Sequence, residues 1–226
     1  MITPGVTALV PMKAHSERVP SKNVRPFVGR PLFHWIMETL RSSSYVGDIV
    51  VNTDCETIAR QAEELFGAVV LWRPEHLLGD MVGIQPLIEW DLQHTDGDLY
   101  LQTHSTNPLL TADTIDRAVE TFCGQDEHDS LFTVTELYTR LFWSDGRPLN
   151  HDPDHMLRTQ DLDPVLEENS CIYIFPRETF ERRGHRLGAH PLLMPMDPLE
   201  AVDIDDEHDF VIAEAIMIRR TDESGN

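Results

Sequence analysis

The stretch from Thr7 to Asn23, TALVPMKAHSERVPSKN, contains the pattern that decides the fold. Its first residues, 7–11, form a short apolar run that ends at a proline, which is typical of a buried strand. The loop that follows is rich in cations and hydroxyls, the groups that bind phosphate at such turns together with backbone N–H groups. The stretch therefore predicts a strand followed by an anion-binding loop.

The positive charge of the chain is concentrated in and just after this loop. The 226 residues include 18 lysines and arginines against 39 acids, and the formal net charge is −21. The two lysines of the chain are Lys13 and Lys22, and residues 13–30 hold five cations against one acid, Glu17. An acidic protein that gathers its positive charge in one place favours an anion site there. A solvated basic loop is the alternative.

Downstream, short apolar runs alternate with segments of helical spacing. Strands are predicted at 48–54, 68–71, 99–102, 130–134, 171–175 and 200–205, and helices at 31–40, 55–66, 85–92, 112–122 and 206–217. This alternation predicts an α/β fold with a doubly wound, mostly parallel sheet, formed as a single domain over residues 1–226. Ligands bind beyond the carboxyl ends of such strands. We therefore expect the basic loop, Asn52–Asp54, Arg73 and Gln102 to converge.

The pattern loosens between about residues 138 and 166. Three prolines interrupt it, acids cluster between Asp152 and Asp163, and apolar side chains crowd the segment's first residues, at Tyr138, Leu141, Phe142 and Trp143. An apolar cluster of this kind usually marks a partner surface. We predict an excursion from the sheet that acts as a lid or a subunit contact.

Several classes of protein are disfavoured by composition. The strong negative charge disfavours a nucleic acid partner, and no apolar run is long enough to cross a bilayer. Met1–Gly5 lacks a signal-peptide pattern, and three widely spaced cysteines without a CxxC pair suit reduced thiols, so a cytoplasmic location is expected. The sequence lacks GxxxxGK[ST] and GxGxxG, which disfavours a P-loop ATPase and a dinucleotide-binding protein.

Short motifs along most of the chain resemble one family. In the loop, Pro11, Ser16, Pro20, Lys22 and Asn23 match the form P-A-R-x-G-S-K-x-I-P-x-K-N in register. GRPL (29–32), NTD (52–54), RPEHLLGD (73–80), RTQD (158–161), ENSCIYI (168–174) and VDID (202–205) follow in order. Together they resemble the acylneuraminate cytidylyltransferases, also called CMP-sialic acid synthetases, over residues 7–215.

Two departures from the family pattern lie close to the expected site. Ala14 and His15 replace the small glycines of the family's loop. The segment Gln102–Leu110 is two residues longer before its proline than the family's Q-P-T-S-P-L-R, and it lacks the final arginine. These departures bear on the acceptor more than on nucleotidyl transfer.

The resemblance implies a Rossmann-like nucleotidyltransferase with a small dimerisation or lid excursion. It would transfer CMP from CTP to an acidic sugar of the ulosonic or sialic type, release pyrophosphate, require Mg²⁺ or Mn²⁺, and form a homodimer. The expected nucleotide contacts are Pro11, Lys13, Ser16, Lys22, Asn23, Thr53, Asp54, Arg73 and Asp80. The expected acceptor contacts are Gln102, His104, Ser105, Arg158, Gln160 and Asn169. Lys13, Lys22 and Asp205 are the expected catalytic residues.

Asp203 and Asp205 are the expected metal ligands. On a strand, residues two apart point to the same face, and paired carboxylates suit magnesium, which also takes phosphate oxygens and water. Further acids follow at Asp206, Glu207 and Asp209, and so many carboxylates would repel a triphosphate unless a cation lay between them. The alternative is a charged strand that protects a sheet edge.

Two other functions remain open. One is a related transferase that uses another nucleotide or a non-sugar acid such as a phosphonate. The other is a nucleotide-binding regulatory protein that has lost catalysis, which Lys13 in place of arginine leaves open.

Overall fold

The computed structural model describes residues 5–16 and 18–224. Residues 1–4, which form most of the stretch inspected for a signal peptide, and Glu17 lie outside the described residues. The strands are β1 Val6–Met12, β2 Pro26–Phe27, β3 Arg30–Pro31, β4 Val46–Thr53, β5 Val69–Trp72, β6 Leu99–Gln102, β7 Ser130–Leu137, β8 Val165–Pro176 and β9 Pro191–Pro195. The α-helices are α1 Leu32–Ser42, α2 Glu56–Phe66, α3 Ile84–Gln93, α4 Ala112–Cys123, α5 Arg177–Arg183 and α6 Glu207–Ser224.

Seven of these strands form one sheet in the order β5-β4-β1-β6-β8-β7-β9. The first four are parallel to one another, β8 runs antiparallel to both β6 and β7, and β9 is parallel to β7. The predicted doubly wound, mostly parallel sheet is therefore confirmed. Because β1, β4 and β6 point the same way, the loops that follow them meet at one edge of the sheet.

Helices cover both faces of the sheet. Apolar side chains of α1, α2 and α4 pack on one face, where Val10, Phe33 and Ile115 are fully buried. Helices α3 and α5 cover the other face around Tyr100 and Tyr173. Burying both faces explains why the central strands read as continuous apolar runs in the sequence.

A third apolar cluster joins α6 to the basic loop. The Phe210 ring packs edge-on against Phe27 of β2, with ring centroids 5.4 Å apart, and the Arg25 guanidinium lies 4.0 Å above the Phe210 ring. Val19 and Ile204 are fully buried in the same cluster. The last part of the chain is thereby fixed beside the first loop.

The segment 200–205 is not a strand, so that prediction is wrong. Glu200 and Ala201 donate their backbone N–H groups to Asp197 O at 3.0 and 3.1 Å, which closes a turn, and Ile204 N–H donates to Thr106 O at 2.9 Å. The alternation of apolar and acidic residues arises because an irregular segment buries Ile204 fully, leaves Asp203 partly buried and exposes Asp205. Asp203 and Asp205 therefore do not share a strand face.

Other boundaries also differ from the predictions. The last helix, predicted at 206–217, extends through Ser224, since Arg219 pairs with Glu223 at 2.9 Å and Arg220 Nη1–H donates to Leu109 O at 2.6 Å. Helix α5 and strand β9 were not predicted. Strand β9 begins and ends with proline, a residue tolerated in an edge strand because one side makes no ladder bonds.

The excursion occupies residues 138–164, between β7 and β8. It contains an isolated bridge between Phe142 and Pro148 and a short 3₁₀ turn at Thr159–Asp161. Several of its large apolar side chains are exposed, among them Tyr138, Phe142, Trp143, Met156 and Leu157. No helix among residues 5–16 and 18–224 is both long and apolar enough to span a membrane.

Candidate active site

A cavity of two adjoining lobes opens where β1 and β6 end. The polar lobe, about 310 Å³, is lined by Pro11, Lys13, His15, Ser16, Arg18, Lys22, Asn23, Asp80, His104, Ser105 and Thr106. The apolar lobe, about 230 Å³, is lined by Pro11, Lys13, Arg73, Leu77, Gly79, Val82, Ile84, Leu87 and His104. Pro11, Lys13 and His104 line both lobes and so mark their junction.

Polar side chains from three parts of the chain fix the conformation of the basic loop. Asn23 Nδ2–H donates to Lys13 O at 2.9 Å, and Ser105 Oγ–H donates to Asn23 Oδ1 at 2.6 Å. The Asp54 carboxylate accepts the Ala14 N–H at 2.7 Å. The predicted residues Asn23, Asp54 and Ser105 thus hold the loop, and through it the side chains that reach the polar lobe.

Ser21 adopts a left-handed backbone conformation with φ of 53° directly before Lys22. Strained backbone of this kind is concentrated at functional sites. The turn that follows, Lys22–Val24, is closed by hydrogen bonds from Val24 and Arg25 N–H to Ser21 O, both at 3.0 Å. The strain at Ser21 therefore sets the direction in which Lys22 leaves the loop.

Each cation of the polar lobe is held by a group from a distant part of the chain. Lys13 forms an ion pair with Asp80, and Arg18 pairs with Asp205 at 2.9 Å. Lys22 Nζ donates to Ile204 O at 2.5 Å. Burial lowers the pKa of Lys22, an effect that the nearby carboxylates of Asp203 and Asp205 oppose.

A buried relay orients Arg73 at the rim of the apolar lobe. Arg73 Nε–H donates to Asn52 Oδ1 at 2.9 Å and its Nη2–H donates to Asn52 O at 3.1 Å, while Asn52 Nδ2–H donates to Asp91 at 2.6 Å. Burial raises the pKa of Asp91 to about 7, although the Asn52 hydrogen bond and the charge of Arg73 lower it. Asp91 and Asn52 are fully enclosed and act through Arg73.

A second relay lies under the polar lobe. Arg186, which is 9% exposed, donates from Nη1 to Gln102 Oε1 and lies 3.4 Å above the Tyr173 ring. Gln102 is fully buried and contacts His104 at 3.0 Å. Gln102 therefore lies behind the cavity wall, and His104 is the residue of this relay that lines the cavity.

The acidic segment after residue 200 lies against the loop cations. Asp203 is partly buried, and its Oδ1 has no hydrogen-bond partner among the described residues. Burial raises the pKa of Asp203, Asp205 raises it further, and a Thr106 hydrogen bond and Lys22 lower it. An unsatisfied buried carboxylate oxygen beside a second carboxylate fits a divalent cation that takes its remaining ligands from phosphate and water.

The other acids near this segment do not extend that site. No group of three or more His, Cys, Asp or Glu side chains suited to a metal occurs in the part of the chain that the structure describes. Asp209 accepts the N–H groups of Asp205 and Asp206 at 3.0 and 2.9 Å, so it serves as a backbone cap. The donor set suits magnesium, which commonly uses one or two carboxylates, better than a cation that needs a complete protein cage.

Eight predicted residues line neither lobe. Asp54, Gln102, Asp203 and Asp205 contact the basic loop or side chains that line the polar lobe, and the other four are Thr53, Asn169, Arg158 and Gln160. Thr53 is buried and accepts the Cys55 N–H at 3.1 Å, and Asn169 is enclosed between Thr133 and Thr135. Arg158 and Gln160 are exposed in the excursion. Arg158 pairs with Asp161 at 2.6 Å.

Sequence reasoning missed Asp91, Arg186 and Thr106. Asp91 follows Trp90 on an otherwise apolar face of α3, and an acid in such a place is a signal for a buried polar contact. Arg186 lies in the arginine-rich stretch ERRGHRLG, residues 181–188, where its neighbours Arg182 and Arg183 are exposed. No local pattern distinguishes Arg186 from them.

The chain is similar to proteins that use cytidine nucleotides. The family model described as "Cytidylyltransferase" matches residues 7–193. The N-acylneuraminate cytidylyltransferase A of Danio rerio is 28% identical over 222 residues, which are 95% of this chain and 51% of that protein. The CMP-N,N'-diacetyllegionaminic acid synthase of Legionella pneumophila is 28% identical over 94% of this chain and 96% of that protein. The chain thus spans about half the length of the fish relative.

Solved structures share the fold at low sequence identity. A CMP:2-keto-3-deoxy-manno-octonic acid synthetase in complex with CTP superposes with a TM-score of 0.68 at 12% identity, over 96% of this chain and 99% of that one. The 4-diphosphocytidyl-2C-methyl-D-erythritol synthase of Anaerococcus prevotii gives 0.67 at 11% identity, over 95% and 99%. This likeness shows the architecture.

Proposed function

The chain belongs to the cytidylyltransferase family, and on that premise we propose that it transfers CMP from CTP to an acidic sugar of the ulosonic or sialic type. One observation carries the proposal. The two lysines of an acidic chain meet in one polar lobe, beside an apolar lobe of a size and lining that suit a nucleobase. A triphosphate and its nucleoside fit this pairing of lobes.

The nucleotide would lie across both lobes. The base and ribose occupy the apolar lobe near Arg73, and the triphosphate follows Lys13, Ser16 and Lys22 in the polar lobe. Binding exchanges the internal partners of the lysines for phosphate oxygens. Because those cations are already fixed in place, little ordering remains to be done when the anion binds.

The acceptor would lie beyond the junction, over Gln102 and Ser105. A hydroxyl oxygen of the sugar attacks the α-phosphorus and gives its proton to water, the bond from that phosphorus to the bridging oxygen breaks, and pyrophosphate leaves with the electron pair. Catalysis consists of positioning and of stabilising the charge that develops on the phosphates. Lys22 is suited to the second task because it is a partly buried cation in the polar lobe.

Asp203 and Asp205 would hold a magnesium or manganese ion. When bound, such an ion neutralises phosphate charge and stabilises the leaving group. For Asp205 to act as a ligand, Arg18 must give up its ion pair and turn to the phosphates. The protein would then exchange one neutralising cation for another at the same carboxylate.

We propose that the excursion, residues 138–164, forms a homodimer contact. Its exposed apolar side chains include Phe142, 58% exposed, and Trp143, 54% exposed. Arg158 and Gln160 lie on the same excursion and line neither lobe of their own chain, so a second copy whose site they complete would account for the acceptor role that the family resemblance implies for them. Light scattering at micromolar concentration is expected to give a dimer mass, and a monomer would contradict the contact.

A cytoplasmic location belongs to the same proposal. The three cysteines are unpaired, as is typical of a reducing compartment, and CTP is an intracellular nucleotide.

Pyrophosphate release with each of the four nucleoside triphosphates tests the nucleotide assignment. With magnesium and a mixture of ulosonic acids, CTP is expected to support turnover and the other three are not. A chain that binds CTP without turnover would instead be a regulatory protein. A preference for another nucleotide would contradict the assignment of the apolar lobe.

A further inference from the structure

His104 stands at the junction of the two lobes, in the segment that is longer than its counterpart in the family. Its side chain makes one hydrogen bond within the described part of the chain, between Nε2 and Gln102 Nε2 at 3.0 Å. The other ring nitrogen, Nδ1, is left without a protein partner there. What that nitrogen offers to a ligand depends on where the ring carries its proton.

The orientation of the Gln102 amide is fixed at both ends. Arginine can only donate, so the atom that faces Arg186 Nη1 must be the amide oxygen. A backbone carbonyl can only accept, so the atom that faces Thr103 O, at 3.0 Å, must be the amide nitrogen. Both contacts therefore require that the NH₂ group of Gln102 faces His104.

The ring of His104 must then accept at Nε2. A neutral imidazole carries one N–H, so the proton resides on Nδ1. A protonated ring would bring Nε2–H against the Gln102 N–H, which disfavours the charged form. Burial lowers the pKa of His104 to about 4, with further lowering by the positive charges of Arg186 and Lys22.

We infer that His104 donates from Nδ1–H to the α-phosphate of the nucleotide, and that Arg186 and Gln102 are positioning residues that hold this tautomer. The α-phosphate is the phosphate next to the nucleoside, so it falls at the junction where His104 lies. This assignment of the ligand rests on the proposed function. The arrangement supplies a fixed neutral donor where charge develops during the attack.

Nitrogen-15 NMR of the histidine rings tests the tautomer without any nucleotide. In the wild-type protein Nδ1 of His104 is expected to be protonated and Nε2 unprotonated at pH 7. In Gln102→Glu a carboxylate oxygen replaces the amide NH₂ group that faces His104. Because that oxygen can only accept, the ring proton of His104 is expected to move to Nε2. His94, which stacks on Trp90 away from both lobes, is the control whose shifts should stay constant. A wild-type ring with its proton on Nε2 would overturn the inference.

Titrations with CTP and with cytidine test the ligand. His104→Asn retains an N–H near the position of Nδ1, whereas His104→Gln places its amide near Nε2. We expect CTP to bind roughly tenfold or more weakly to His104→Gln, as for a lost hydrogen bond to a charged group, and less weakly to His104→Asn. Cytidine, which lacks phosphate, should bind all three proteins alike and so reports that the variants are folded.

The two failures are distinguishable. If the wild-type protein binds no CTP, the phosphate assignment falls together with the proposed function. If it binds CTP and His104→Gln binds it equally well, the inference alone is overturned.

Discussion

The charged side chains of the cavity pair with groups that are distant in sequence, whereas those of the excursion pair with near neighbours in sequence. In the cavity, Lys13 meets an acid 67 residues away and Lys22 meets a carbonyl 182 residues away. In the excursion, Arg147 pairs with an acid two residues away and Arg158 with one three residues away. Pairs of the first kind exist only when the sheet has brought distant loops together.

This difference in sequence separation indicates a different role for each region. The cavity is assembled by the fold, so its cations are placed before a ligand arrives, which favours catalysis by fixed charges. The excursion is held by short-range contacts and leaves large apolar side chains outside, as expected of a surface that awaits a partner. Substitutions in the two regions should therefore affect different properties.

The largest effect is expected at the proposed metal ligands. Asp205→Asn removes a charge at constant shape and should lower kcat roughly a hundredfold or more, the scale of a lost electrostatic group, and Asp203→Asn should act similarly. Activity should also disappear with a chelator and return with magnesium or manganese. Asp222→Asn, an exposed change on α6, is the control. Normal turnover by both variants, or activity in EDTA, would contradict the proposed metal site.

The next effect is expected at the two lysines. Lys13→Ala or Lys22→Ala should each cost about 1.5–3 kcal/mol in kcat/KM for CTP, the value of a charge-assisted hydrogen bond. Lys22→Ala should lower kcat more than it raises KM, because charge on the leaving pyrophosphate grows during the reaction. Arg147→Ala, which removes a cation from the excursion, should leave kcat/KM unchanged. Near-wild-type kinetics for both lysine variants would contradict the polar lobe as the phosphate site.

A separate effect, on stability and not on turnover, concerns the pH dependence that Asp91 confers. Its pKa is raised to about 7 in the folded protein, so between about pH 4 and 7 the native state binds more protons than the unfolded state. The stabilisation that Asp91 provides is complete below the pKa that this group has in the unfolded chain. It falls by about 1.4 kcal/mol per pH unit as the pH rises from there to 7.

Denaturant unfolding of Asp91→Asn across this range checks the sign. The amide oxygen still accepts from Asn52 but does not titrate, so the decline of stability with pH should be shallower than in the wild type. An identical slope in both proteins would show that Asp91 is ionised throughout.

The smallest effect is expected in the excursion. Arg158→Ala removes an exposed pair three residues apart and should change the free energy of unfolding by less than about 1 kcal/mol. Urea denaturation measures this change. A much larger loss would mean that Arg158 supports the fold and that the contrast between the two regions is wrong.

The mostly parallel sheet was predictable because its strands and helices follow from local periodicity. Apolar runs such as 99–102 and helical stretches such as 112–122 are complete signals in themselves, and the parallel arrangement follows from their alternation. The segment 200–205 misled because alternation alone cannot show whether a free strand edge is available. Strand β9 was missed because it begins and ends with proline, a residue that is disfavoured in strands.

The candidate site was predictable where residues follow strands directly. Pro11, Arg73 and Gln102 could be placed from strand ends, and Lys13 and Lys22 from the concentration of charge. The acid on the apolar face of α3 signals that Asp91 is buried, but the partners of Asp91 and Arg186 could not be predicted, because Asn52 and Gln102 lie 39 and 84 residues away. Contacts of that range depend on how helices pack over the sheet, which no local pattern records.

Product analysis with an acceptor panel tests the central claim most directly. The protein is incubated with CTP, magnesium and individual ulosonic acids, and products are identified by mass spectrometry. We predict a CMP-sugar from at least one acid, formed in equal amount with pyrophosphate and absent when CTP or the acid is omitted. Loss of CTP without a CMP-sugar, or no consumption of CTP with any acid, would contradict cytidylyl transfer to an acidic sugar.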